Sequence, residues 1–243
     1  MTNKKDINTG TEQLLAQINQ NVGIITLNRP ESRNALSDEL TPALRSTIKE
    51  FDTNREVRSL LITGAGKSFC AGGDVKSMSQ GGIGPNLSRD EAIVDLQEKQ
   101  LTLTGALYNF TKPSIAALPG PAAGAGLSIA LACDIRYVSR NAFAIAGYGR
   151  IALSGDYGIT WLLSKTVGLS KAKELMFTND KISAEEGLRI GLFNKIVEEK
   201  KLYESTIKLK TIVSGRTSST RMTCPLCPLK SERNCGQTQH THN

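Results

Sequence analysis

Apolar residues first recur at every second position and then at intervals of three and four, and this switch repeats along the chain. Residues 13–27 read as a hairpin turning at Asn19-Gln20-Asn21, with Leu15, Ile18, Val22, Ile24, Ile25 and Leu27 at its apolar positions. Ser37-Asp38-Glu39 then opens a helix whose Leu40, Leu44, Ile48 and Phe51 share one face. Residues 57–63 form a strand. Ser88 and Glu91 make a capping box for a long helix to about residue 110, with Ile93, Leu96, Leu103 and Leu107 predicted as its buried face. Strands at 114–118, 135–138 and 143–146 come next, with a helix over 159–167, another capped by Ser183 with Glu186, and a turn and last strand over 191–197. Repeated strand–turn–helix units define an α/β domain.

Within this pattern, residues 112–134, KPSIAALPGPAAGAGLSIALACD, place a buried strand, a small-residue turn and an apolar helix in direct succession. Pro119, Gly120 and Pro121 break the strand, and the helix after them carries almost no side chain on its first turn. The first amides of a helix lack internal acceptors and sit at the positive end of the peptide dipoles. An oxygen gaining negative charge can bind there without a cationic side chain.

The chain of 243 residues, 39% of them hydrophobic, suits one enzyme-sized domain. Its net charge of +7 is scattered rather than gathered in a stripe, so no nucleic-acid partner is expected. The first residues, MTNKKDINTG, lack the apolar centre of a signal peptide, and no run approaches the roughly 20 apolar residues of a membrane span. A soluble, cytoplasmic protein is the expectation. Both histidines, His240 and His242, lie at the C-terminal end, which removes Ser-His and Cys-His pairs from the body and leaves a carboxylate as the natural general base. Cys70 and Cys133 read as small buried hydrophobes. Cys224, Cys227, Cys235 and the two histidines fit no standard zinc spacing, and no metal or separate cofactor is expected.

Two further places carry chemistry. Residues 63–75, TGAGKSFCAGGDV, fail as a phosphate-binding loop, because Leu61 stands where the first glycine is required and Phe69 interrupts the dinucleotide pattern. They read as a second small-residue turn after a strand, with Asp74 as a cap for the next segment. Asp156, in GYGRIALSGDYGITWLL, sits just before the 159–167 helix, either as a cap or as a functional acid.

The landmarks IITLNRPESRNAL, ITGAGKSFCAGGDV, KPSIAALPGPAAGAGLSIALACDIR and AEEGLRIGLFNKIV give residues 14–202 a resemblance to the crotonase family of enoyl-CoA hydratases and isomerases. The resemblance implies the crotonase-like spiral of ββα units that is shared with Clp proteases. It implies an acyl-CoA thioester as substrate, coenzyme A being part of that substrate. It implies an oxyanion hole from the amides of Ala71 and Gly124, or Ala125 in place of the latter. Arg29, Ala35 and the turn Ala71, Gly72, Gly73, Asp74 and Val75 would lie along the coenzyme A moiety.

Where hydratases of this family hold water between two glutamates, this chain aligns Ser128 and Gly147. The segment SGDYGITWLL is similar instead to the isomerase-like branch, with Asp156 as single base, and the implied reaction is a double-bond shift through an enolate. An acyl-CoA-binding protein without turnover, or a hydratase using other residues, are the alternatives. Residues 1–203 form the implied core. Residues 204–243 are polar and proline-containing where the family has helices that cover the pocket and build trimers or hexamers, so no helix is expected from SGRTSST onward, as a shifted reading frame would produce.

Overall fold

The computed structural model describes residues 4–74 and 88–216, the side chains of 209–216 excepted. Val75, residues 81–86 and the cysteines and histidines of the C-terminal end lie outside the described residues.

The main sheet has seven strands: β1 (Lys4–Ile7), β2 (Leu14–Asn19), β3 (Val22–Leu27), β4 (Ser59–Gly64), β5 (Ser114–Leu118), β7 (Ile135–Ser139) and β10 (Lys195–Val197). They lie side by side in that order. β1, β2 and β3 pair antiparallel, and from β3 onward every pairing is parallel. The hairpin is closed by Gln20 and Asn21, both at positive φ, the geometry a two-residue turn demands. Parallel strands are covered on both faces, and all five residues of β5 are accordingly buried. A smaller sheet joins β6 (Ala122–Ala123), β8 (Phe143–Ile145) and β9 (Ile182–Ser183).

The helices are α1 (Leu40–Thr53), α2 (Arg89–Gln100), α3 (Ala125–Ala132), α4 (Ile159–Val167), α5 (Leu169–Thr178), α6 (Ala184–Arg189) and α7 (Glu199–Arg216). α1 buries Leu40, Leu44, Ile48 and Phe51, the face its spacing predicts. Both halves of the Ser88–Glu91 capping box are formed, and Ser183 accepts from the amide of Glu186 at the head of α6.

The expected face of α2 holds only in part. Leu103 and Leu107 are buried, but Ile93 and Leu96 are 46% and 42% exposed. No residue of α2 is buried on any face, and burial begins only at Leu103, inside the π-helical turn Leu101–Gly105 that follows it. Trp161 of α4 is 43% exposed and stands edge-on to Tyr108 at 4.8 Å between centroids. β1 has no counterpart in the hydrophobic pattern, because its Lys4, Lys5 and Asp6 are exposed at the sheet edge.

α7 runs through the boundary expected at residues 203 and 204. Leu202 packs with Val22, Ile24, Leu61, Ala117 and Val197 on the second face of the sheet, and Thr206 is fully buried. Apolar burial, rather than helix propensity, carries the helix past a polar stretch. Among the described residues no helix is long and apolar enough to cross a membrane.

Candidate active site

The turns that leave β4 and β5, neighbouring parallel strands, are stitched into one seam. The amides of Phe69 and Cys70 donate to the Pro121 carbonyl at 3.0 and 3.2 Å, and the Ala123 amide donates to the Cys70 carbonyl at 2.9 Å. Crevices beyond the carboxyl ends of parallel strands are where α/β sheets bind ligands. The approach is close enough to require glycine. A Cβ on Gly126 would stand 2.4 Å from the Cys70 carbonyl oxygen, and one on Gly72, at φ +93°, 2.9 Å from that of Ala123.

The structure separates the amides that are spent from those that are free. Ala71 donates to the Arg33 carbonyl at 3.0 Å and Gly124 to the Ile145 carbonyl at 3.1 Å, so the two amides expected first are already committed. Gly73 and Ala125 donate to no acceptor among the described residues. The parallel bridge between Leu36 and Gly73 uses the amides of Leu36 and Asp74, which turns the N–H of Gly73 away from that pairing. Ala125 opens α3, where amides have no intrahelical acceptor. A Cβ on Gly72 would lie 3.4 Å from the Ala125 nitrogen, so Gly73 comes directly after a residue that touches Ala125. Of the sequence candidates, Ala125 keeps an unspent amide and Ala71 does not, and the amide of Gly73, two residues after Ala71, is unspent among the described residues.

Asp156 reaches this seam through Tyr148. Tyr148, on a short 3-10 turn after Gly147, is buried, and its hydroxyl donates to Oδ1 of Asp156. A Cβ built on Gly124 would meet the Tyr148 ring at 3.7 Å and its hydroxyl at 3.9 Å, and one on Gly147 would lie 3.8 Å from the Gly124 nitrogen. Ser128, fully buried one helical turn along α3, interacts with the same phenol. Gly147 and Ser128 therefore stand beside Gly124, yet neither offers a base. Asp156 does not cap α4: the cap residue is Gly158, with no side-chain bond to the helix, and only the backbone carbonyl of Asp156 accepts, from Ile159 at 3.1 Å. That removes the structural reading open in the sequence.

Burial raises the Asp156 carboxyl above the ordinary carboxylate range, opposed by the Tyr148 hydrogen bond and the residue's own amide. The Tyr148 phenol is pushed up chiefly by burial and next by the charge of Asp156, so it stays protonated and remains a donor. Cys70, in the seam itself, is raised to about 12 by burial, which keeps it a neutral thiol and a poor nucleophile. Tyr157, beside the acid, holds the left-handed conformation at φ +48°, and its phenol is raised by burial against the opposing pull of Arg45.

Arg29, Ala35 and Asp74 also come together. One guanidinium nitrogen of Arg29 donates to the Ala35 carbonyl at 2.8 Å and to Asp74 Oδ2 at 3.1 Å. The sequence gives no separate sign of Asn34, which pins this corner. Fully buried at φ +57°, it donates to the carbonyls of Ala65 and Ser68 at 3.0 and 2.8 Å and accepts from the Arg29 amide at 2.9 Å. Asn34→Ala leaves three backbone groups of partly buried residues without partners, at about 1–3 kcal/mol for each that water cannot reach. A denaturation midpoint lowered by at least one such increment is expected; an unchanged midpoint would refute the clamp. A crevice of about 550 Å³ between α1 and α2 is lined by charged side chains including Arg45, Asp52, Asp95 and Lys99 and contains none of the seam residues. Free donors and a half-buried acid mark the site better than concavity does.

A parallel sheet with two glycine turns joined at its carboxyl ends, two unspent amides and one acid beside them is the architecture of crotonase-fold enzymes acting on acyl thioesters. The sequence profile of the enoyl-CoA hydratase/isomerase family matches residues 17–224, and the chain belongs to that family. It is 31% identical over 227 residues to the 1,2-epoxyphenylacetyl-CoA isomerase of Escherichia coli strain K12, covering 93% of this chain and 84% of that one. It is 39% identical over 183 residues to the short-chain-enoyl-CoA hydratase of Clostridium acetobutylicum, covering 74% and 67%. The crystal structure of an enoyl-CoA hydratase from Mycobacterium avium subsp. paratuberculosis superposes with a TM-score of 0.76 at 26% identity, over 92% of this chain and 86% of that one.

Proposed function

We propose that this enzyme shifts a carbon–carbon double bond in an acyl-CoA thioester through an enolate. The observation that carries the reading is a single carboxylate, Asp156, half-buried and not used as a cap, next to the start of α3 where Ser128 and Gly147 supply no second base. The amides of Gly73 and Ala125 receive the thioester oxygen. Asp156 takes a proton from the carbon next to the thioester, and the electron pair of that C–H bond moves onto the oxygen as a dienolate. The protonated Asp156 returns the same proton two carbons further along, the oxygen charge flows back, and a 3-enoyl thioester becomes a conjugated 2-enoyl thioester. No atom is gained or lost, which is why one acid-base group suffices. Hydration needs one group to deprotonate water and another to protonate carbon. The isomerase named among the relatives agrees with this reading, while the hydratase named beside it keeps water addition as the competing reaction.

The test tracks the products. Supplied with 3-hexenoyl-CoA, the enzyme should generate the ultraviolet band of a conjugated thioester without forming a 3-hydroxy product. If 2-hexenoyl-CoA is instead converted to 3-hydroxyhexanoyl-CoA at a comparable rate, the isomerase reading is wrong. Binding of acyl-CoA with neither conversion would make the chain a binding protein.

A further inference from the structure

We infer that Tyr148 is the positioning residue for Asp156: seated against Gly124 and Ser128, its hydroxyl ties Oδ1 and leaves Oδ2 as the oxygen that meets the acyl chain. This rests on the proposed role of Asp156 as base. A carboxylate on a glycine-flanked turn has two equivalent oxygens and a free rotor about its last bond, so it aims poorly unless one oxygen is fixed. Gly155 and Gly158 flank Asp156, at φ +99° and +73°. No side chain other than Tyr148 bonds the carboxylate among the described residues.

Three features make Tyr148 suited to the task. Its ring is buried between Gly124 and the turn at Gly155, where a Cβ would lie 3.7 Å from Cδ2 of the ring, so the hydroxyl is not free to swing away. It stays protonated, since burial and then the adjacent carboxylate resist loss of its proton, so it remains a donor to Asp156. Gly124, which the ring meets, stands at the head of the helix that carries Ala125, so the Tyr148–Asp156 bond registers the base against that helix.

The charged and titratable groups around the acid are Tyr148 from the 3-10 turn, Tyr157 from its own turn, and Arg45 of α1 and Lys99 of α2, which act on Tyr157. Removing the Tyr148 hydroxyl deletes the only side-chain bond that stabilises the ionised acid, so Asp156 should hold its proton more tightly. The test uses full-length protein labelled with 13C at aspartate carboxyls, the Asp156 signal being assigned by its loss in Asp156→Asn. In Tyr148→Phe the titration of this signal should move up by about one pH unit, tenfold in proton affinity. The acid limb of kcat/KM for 3-hexenoyl-CoA should move with it, and kcat should fall about 10- to 100-fold at unchanged KM. A carboxyl titration in Tyr148→Phe identical to that of the wild type would overturn the inference while leaving Asp156 as base. A lowered kcat accompanying that unshifted titration is the pattern of a packing defect and overturns the inference equally. Undiminished turnover by Asp156→Asn would instead defeat the underlying assignment of the base.

Discussion

Replacing Asp156 by Asn lowers kcat toward 3-hexenoyl-CoA by about 10²- to 10⁴-fold, the span typical for loss of a general base, with KM nearly unchanged. The side chain keeps its size and can still accept from Tyr148, so the loss reports proton transfer rather than collapse of the turn. The same substitution should raise thermal stability at neutral pH. Burial sets the folded-state pKa of Asp156 above its unfolded value near 3.8, so the folded protein binds this proton more tightly than the unfolded chain does. The stability this group contributes is complete below the unfolded pKa and is lost as pH rises through the folded pKa. At pH 7 the wild type carries that penalty and the Asn variant does not. The two melting temperatures should therefore converge toward pH 4 and separate above it, the variant being the more stable. A variant that is less stable at pH 7 and retains more than a tenth of wild-type kcat would contradict both halves of the assignment. In the wild type, the acid limb of kcat/KM should lie above the ordinary carboxylate range, since only the ionised acid can take the proton.

The hydrophobic pattern identified the elements that local periodicity determines: the hairpin, the face of α1, the capping box of α2 and the bounds of α4 are as expected, except that Leu15 is exposed and its neighbours Leu14 and Ala16 face the core. It also identified the two turns that form the seam. It could not tell which N–H of each turn stays free, because that depends on carbonyls distant in sequence. Arg33 takes the amide of Ala71 across the β3 loop, and Ile145 takes that of Gly124 across β8. Asp156 shows the same limit, since an acid two residues before a glycine-headed helix reads equally as a cap until Tyr148 is placed beside it. The signal for Tyr148 was present as a tyrosine in a glycine-rich stretch, but it resembled the many tyrosines that merely pack. The apolar spacing of Ile93 and Leu96 could not show that α2 buries no residue on any face, which leaves both residues exposed.

Gly126→Ala should separate the two halves of the seam and carry the second large effect. An added Cβ would stand 2.4 Å from the Cys70 carbonyl oxygen, 2.7 Å from the Cys70 Cβ and 2.9 Å from its carbonyl carbon. The first and last of these are backbone atoms, already held by the bond from the Ala123 amide, and they have no rotamer to retreat into. Overpacking of this kind typically costs about 1–3 kcal/mol of stability. The relief available is to push the 70–74 turn off α3, and this moves the Gly73 amide away from that of Ala125. Loss of one aimed donor typically costs about 10²- to 10³-fold in kcat, so the variant should be both less stable and nearly inactive at temperatures where it remains folded. Gly168→Ala separates the two effects. At φ +81° with nothing within 4 Å of the added Cβ, it strains the backbone between α4 and α5 and leaves the seam alone. It should lose about 1–3 kcal/mol of stability and keep wild-type kcat. Folded Gly126→Ala protein with undiminished kcat would mean that the chemistry does not take place between these two turns.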